Sequence, residues 1–164
     1  MQSDLDIDVV IEDSRWQAAV PDASEQAERA VRAAFSEVGF DESATLCVLL
    51  ADDDHVQSLN NAYRGKDQPT NVLSFPTEDA PTIPGFPRVL GDVVLAFDTV
   101  QRESDTFERS IVNHFLHLIV HASLHLIGYT HEAEQEADRM EAFEISVLAK
   151  LGVPDPYADA GQSR

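Results

Sequence analysis

The chain has 164 residues, with 11 lysines and arginines against 30 aspartates and glutamates, a formal net charge of −19. That length suffices for one domain burying roughly two thirds of its unfolded surface without disulfides or a structural metal, and so negative a field disfavours nonspecific binding to nucleic acid or an anionic membrane. No apolar stretch reaches the ~20 residues that span a bilayer, and Met1 to Asp6 lacks a basic segment followed by an apolar one, so the expectation is a cytoplasmic protein without a membrane partner.

In chain order, Ile7-Asp8-Val9-Val10-Ile11 reads as a first strand, β-branched and partly alternating. From Ser24 to Val38, Ala27, Ala30, Val31, Ala34, Phe35 and Val38 recur at helical spacing and Gly39 follows as a stop. Thr45 to Ala51 is a continuous apolar run, the pattern of a strand covered on both faces. It contains the single cysteine, Cys47, read as an inert core thiol in a protein of a reducing compartment.

Asp52-Asp53-Asp54 supplies a negative N-cap and first turn for a helix running to Tyr63. Capping at the positive end of the helix dipole accounts for these three acids without a divalent cation. Arg64 to Thr70 forms a loop and Asn71 to Phe75 a further strand. Pro76, Pro81, Pro84 and Pro87 rule out regular structure up to Arg88, which reads as a mobile surface loop. Leu90 to Phe97 is a fourth strand, Ser110 to Gly128 a long apolar helix, and Glu132 to Leu151 a last amphipathic helix with Ala137, Met140, Phe143, Ile145, Val147 and Leu148 on its apolar side. The expectation is an α+β fold: one small mixed sheet of about four strands with helices packed on it. A single domain over residues 1–155 and a disordered tail over 156–164 complete it.

Charge is unevenly placed. Between His55 and Leu90 three basic residues (Arg64, Lys66, Arg88) meet three acidic ones, leaving 8 basic against 27 acidic residues elsewhere. The middle of the chain is either a neutral polar loop or the approach to a phosphate.

Four of the six histidines fall at 114, 117, 121 and 125, and a fifth is His131. His121 and His125 are one helical turn apart, so both imidazoles can reach one ion. Gly128 stands where a helix commonly ends in a left-handed residue, so the chain can turn back and present His131. Three neutral imidazoles around one zinc leave an open position, the arrangement of catalytic rather than structural sites. His117, His121 and His125 form a rival set, although their ring nitrogens would diverge along the helix. Ala122 occupies the place of the glutamate in H-E-x-x-H, which argues against a metalloprotease of that mechanism.

The segment Val120-His121-Ala122-Ser123-Leu124-His125-Leu126-Ile127-Gly128-Tyr129-Thr130-His131-Glu132 resembles the YbeY family of bacterial endoribonucleases that mature ribosomal RNA. Asn60 to Pro76 is similar to that family's other signature, and Leu90-Gly91-Asp92-Val93-Val94 to the strand that follows it. The resemblance runs in family order from about Thr45 to Leu151. It implies one zinc ion per chain on His121, His125 and His131, a catalytic role for Arg64 and His121, and single-stranded RNA as substrate. It further implies a role in maturing the 3′ end of the small-subunit ribosomal RNA and in ribosome quality control. Arginine suits such a cleft because its planar fork can contact two phosphate oxygens; Lys66 is a candidate for backbone contact. The strong acidity elsewhere leads to the expectation that a ribosomal protein or assembly factor delivers the RNA. Thr130 and Asn71 stand where aspartates are common in the family, which questions a carboxylate supporting a ligand from position 130. The readings from other classes are a zinc hydrolase of a small ester or amide, and a noncatalytic assembly factor whose metal stabilises the fold.

Overall fold

A computed structural model describes residues 5–77 and 83–158. In order these form β1 (Leu5–Ile11), α1 (Arg15–Ala19), α2 (Ala23–Glu37), β2 (Ala44–Ala51), α3 (Asp53–Arg64), β3 (Val72–Pro76), β4 (Arg88–Ala96), α4 (Phe97–Thr106), α5 (Ile111–Leu126) and α6 (Glu134–Lys150). The four strands make one mixed sheet in the order β1-β2-β4-β3, with β1, β2 and β4 parallel and β3 antiparallel to β4. The α+β architecture is the one expected, in a single domain.

Alternation divides the sheet into two unequal faces. Leu46, Val48 and Leu50 of β2 and Val93 and Leu95 of β4 join Ala30, Val31, Ile119 and Val147 in the main core under α2, α5 and α6. The opposite face carries a smaller cluster, in which Leu73, Val94 and Ala96 meet Val56 of α3, with Leu49 and Phe75 packed against it. Thr45, Cys47 and Leu49 are therefore only half-buried. That corrects the reading of β2 as covered on both faces and of Cys47 as a core residue. The thiol is nevertheless poorly reactive, because burial, with Asp92 and Asp8 beside it, pushes its pKa up.

Two elements are absent from the sequence expectation. The five-residue α1 is too short to show a period; it inserts Trp16, fully buried, with its indole N–H donating to the Ala51 carbonyl at 2.9 Å and its ring edge-on to Phe97. In α4 the buried positions include Thr99 and Ser104, polar residues that hide its period. Asp53 holds Thr99 through both its backbone N–H and its hydroxyl, each at 2.9 Å. Asp52 accepts from His55 N–H at 2.8 Å, so two of the three aspartates are occupied by capping and by the α3–α4 junction.

The proline-rich loop was expected from Glu78 to Arg88. Residues 78–82 lie outside the described residues; Ile83 and Phe86 are exposed, and β4 begins at Arg88, earlier than expected. Gly91 sits at φ +133, where a Cβ would lie 2.1 Å from the Phe75 carbonyl oxygen. Only glycine lets β4 approach β3 this closely, and β3 forms one wall of the site below.

Candidate metal centre and cleft

The Ser110 hydroxyl caps α5 by accepting from Asn113 N–H at 3.0 Å. Spacings of three and four residues then place His114, His117, His121 and His125 along one side of the helix. After α5 the chain turns at Gly128 (φ +103), and Tyr129 N–H reaches back to the Leu124 carbonyl at 3.0 Å. This turn delivers the Tyr129 carbonyl to His125 Nδ1 at 2.8 Å and brings the His131 ring against those of His121 and His125, with centroids 5.4 and 5.1 Å away.

His121, His125 and His131 each offer one ligand nitrogen within 4.8 Å of the others, a set that could hold one metal ion. Carbonyl and carboxylate oxygens only accept, so His125 Nδ1 donates to Tyr129 and His121 Nδ1 donates to Glu144 Oε2 at 2.8 Å. In the neutral rings both Nε2 atoms are then lone-pair donors, and they face each other at 3.0 Å. Two lone pairs at that distance repel unless a cation lies between them. Burial, with His121 and His131 nearby, pushes the pKa of His125 down to about 4, which keeps its lone pair available at neutral pH. Ideal tetrahedral zinc with ~2.1 Å bonds separates two nitrogens by ~3.4 Å, within a small adjustment of the distance observed. The residues fit a metal of this kind.

Behind the histidines lies Glu144 of α6, whose residue is fully buried. Its Oε1 accepts from His117 Nε2 at 2.7 Å and from the Tyr157 hydroxyl at 2.6 Å, and its Oε2 from His121. Burial alone would raise this carboxyl, but the bonds from His117 and His121 outweigh it and hold the pKa at about 2. His117 is thereby committed to Glu144 and Tyr157, which sets aside the rival set His117, His121 and His125. His114 donates to Glu103 at 2.8 Å, and Asn71 donates to the same Glu103 oxygen at 2.9 Å. Burial works to raise the Glu103 carboxyl, and these two partners overcome it, so its pKa is lowered.

The histidines open into a cleft of about 640 Å³ between α5, β3 and the end of α3. Asn60 Nδ2 donates to the Gln68 carbonyl at 2.9 Å and pins the loop after α3. Gly65, in the left-handed conformation, ends that helix, so Arg64 and Lys66 both line the cleft. Arg64 is exposed, donates to the Ser74 carbonyl at 3.0 Å and lies over the Phe75 ring. Arg109 is a third cation of the lining, and Glu103 is its one acid among the described residues. A positive cleft in a chain of net charge −19 focuses an anionic ligand onto the histidines. Arg88 pairs with Glu42 and takes no part.

Glu144, Glu103, Arg109 and Tyr157 were missed in the sequence. A glutamate at the apolar positions Met140, Glu144, Val147 and Leu148 of α6 is the signal that could have found the first. Glu144 and the Tyr129 carbonyl support His121 and His125; Thr130 donates to Glu136, and His131, the third candidate ligand, makes no hydrogen bond among the described residues. Pro156 and Tyr157, placed by sequence in a disordered tail, line the cleft, whereas 159–164 lie outside the described residues.

Fold and site define a class: a small α+β domain with a three-histidine centre able to hold a metal at the floor of a cationic cleft. The family model described as Endoribonuclease YbeY matches residues 9–152. Proteins named Endoribonuclease YbeY are similar over nearly the whole chain. That of Rhodopseudomonas palustris is 50% identical, covering 96% of this chain and 82% of its own. That of Paramagnetospirillum magneticum is 46% identical, covering 94% and 97%. A solution structure from Thermotoga maritima shares the fold, with a TM-score of 0.56 and 23% identity over 96% of this chain. The chain belongs to the YbeY endoribonuclease family.

Proposed function

We propose that this chain is a zinc-dependent, single-strand-specific endoribonuclease that matures the 3′ end of the small-subunit ribosomal RNA and serves ribosome quality control in the cytoplasm. The observation that carries the reading is the convergence of His121 Nε2 and His125 Nε2 at 3.0 Å inside a cleft lined by Arg64, Lys66 and Arg109. His121, His125 and His131 hold the ion, one per chain. When bound, zinc supplies a Lewis acid that works at neutral pH.

The chain's own residues supply the rest. Glu144 and the Tyr129 carbonyl fix two ligand rings through their Nδ1 protons. Arg64 keeps one N–H on the Ser74 carbonyl, and its remaining donors, without a hydrogen bond among the described residues, clamp a phosphate and stabilise charge as it develops. Lys66 and Arg109 hold flanking phosphates. The acidic remainder of the surface repels RNA, which supports delivery by a ribosomal protein or assembly factor.

The test is cleavage of single-stranded RNA, duplex RNA and a panel of small esters and amides by wild type and Arg64→Ala. Metal-dependent cutting of unpaired RNA, lost in Arg64→Ala, is the expected result. Ester or amide turnover without RNA cleavage would replace it with a small-molecule hydrolase.

A further inference from the structure

From the end of α6 to Tyr157 the chain runs back along the site. Val153 is buried, and its N–H bonds the Leu148 carbonyl at 2.8 Å, which turns the backbone across the end of the helix. Asp155 Oδ1 accepts from Tyr157 N–H at 2.8 Å, and Arg109 donates to the Pro156 carbonyl at 2.9 Å. These contacts tie the segment from both sides. Pro156 and Tyr157 become part of the cleft wall, and the Tyr157 ring meets His117 edge-on at 5.5 Å.

The Tyr157 hydroxyl lies 2.6 Å from Glu144 Oε1 and 3.3 Å from His117 Nε2. Glu144 is a buried anion, and such a group is tolerated only when donors satisfy it. Two of its three donors, Tyr157 and His117, converge on Oε1, and that convergence sets the rotation of the carboxylate. Its other oxygen is thereby aimed at His121 Nδ1, 2.8 Å away. The chain of contact runs Tyr157, Glu144, His121, and then the nitrogen that faces the metal position.

We propose that Tyr157 is a positioning residue of the metal centre, held in place by the strap from Val153 to Tyr157 and by Arg109, and acting through Glu144 on His121. The inference rests on the metal reading of the three histidines. It gives the segment after α6 a role in metal affinity that neither helix can supply alone, since Glu144 without the hydroxyl can turn toward His117.

The experiment is competition for zinc against a chromophoric chelator at pH 7, with full-chain wild type and Tyr157→Phe, alongside thermal melts of both metal-free proteins. Phenylalanine keeps the ring against His117 and removes only the hydroxyl, so the fold is retained. Partners of metal ligands typically account for 10- to 100-fold in affinity. Tyr157 is one bond further out, so a weakening of about 3- to 10-fold is expected. A lowered Tm with unchanged zinc affinity would assign Tyr157 to packing and overturn the inference. Wild type that binds no zinc would overturn the metal reading, and the inference with it.

Discussion

Glu144 of α6 and His121 of α5, 23 residues apart, are joined at 2.8 Å across a helix interface with the carboxylate fully buried. Burying an anion there costs stability unless a nearby charge and good donors offset it. Its placement behind a ring whose other nitrogen faces the cleft links this structural cost to metal binding.

Replacing Glu144 by Gln should therefore weaken zinc binding by about 10- to 100-fold. The amide preserves shape but cannot accept from three donors at once. Chelator competition measures the loss, and unchanged affinity would show that the carboxylate serves the fold alone.

For Arg64, the Ala variant should keep its full metal content, because the side chain contacts Ser74 and Phe75 and none of the three histidines. Its RNA cleavage should fall on the order of 100- to 1000-fold, the usual cost of losing one donor to developing charge. Lys restores part of the rate at most, since it lacks the planar fork. Single-turnover cleavage with measured zinc content separates the two effects.

The half-buried pair Asn71 and Glu103 gives a pH signature. Because the Glu103 pKa is lowered from its ordinary 4.5, its contribution to stability is present above that value and is lost as pH falls through the folded-state value. Asn71→Asp reverses the sign. It removes a donor and sets a second carboxylate beside the first, so one of the two is raised. The variant should be less stable than wild type at pH 7 and recover relative to it as the solution is acidified. Thermal melts across pH 4–8 check this, and parallel curves would contradict it.

Free single-stranded RNA should bind weakly to the isolated protein, with strong salt dependence, because three cleft cations work against an acidic surface. Fluorescence anisotropy at several salt concentrations measures it. Nanomolar affinity at physiological salt would remove the need for a delivering partner.

Much of this was legible in the sequence where a residue's role follows from local spacing. His121 and His125 one turn apart and the Gly128 turn carried the cluster, and the resemblance joined Arg64 to it. The four strands followed from apolar runs bounded by turns. What stayed hidden is tertiary. Glu144 falls on the apolar stripe of α6, but its partners appear only once α5 covers it, and Tyr157 reads as tail until Arg109 and Asp155 fasten it. The amphipathic pattern of α4 failed because Thr99 and Ser104 are buried with their hydrogen bonds satisfied. The open face of β2 could not be foreseen from a run that is apolar throughout.

The most direct test of the central claim is metal analysis of wild type and His125→Ala, purified without chelators and assayed in parallel for RNA cleavage. The account predicts about one equivalent of zinc and specific cutting in wild type, with both lost in the variant. Less than about a tenth of an equivalent in wild type, or unimpaired cleavage by His125→Ala, would contradict it.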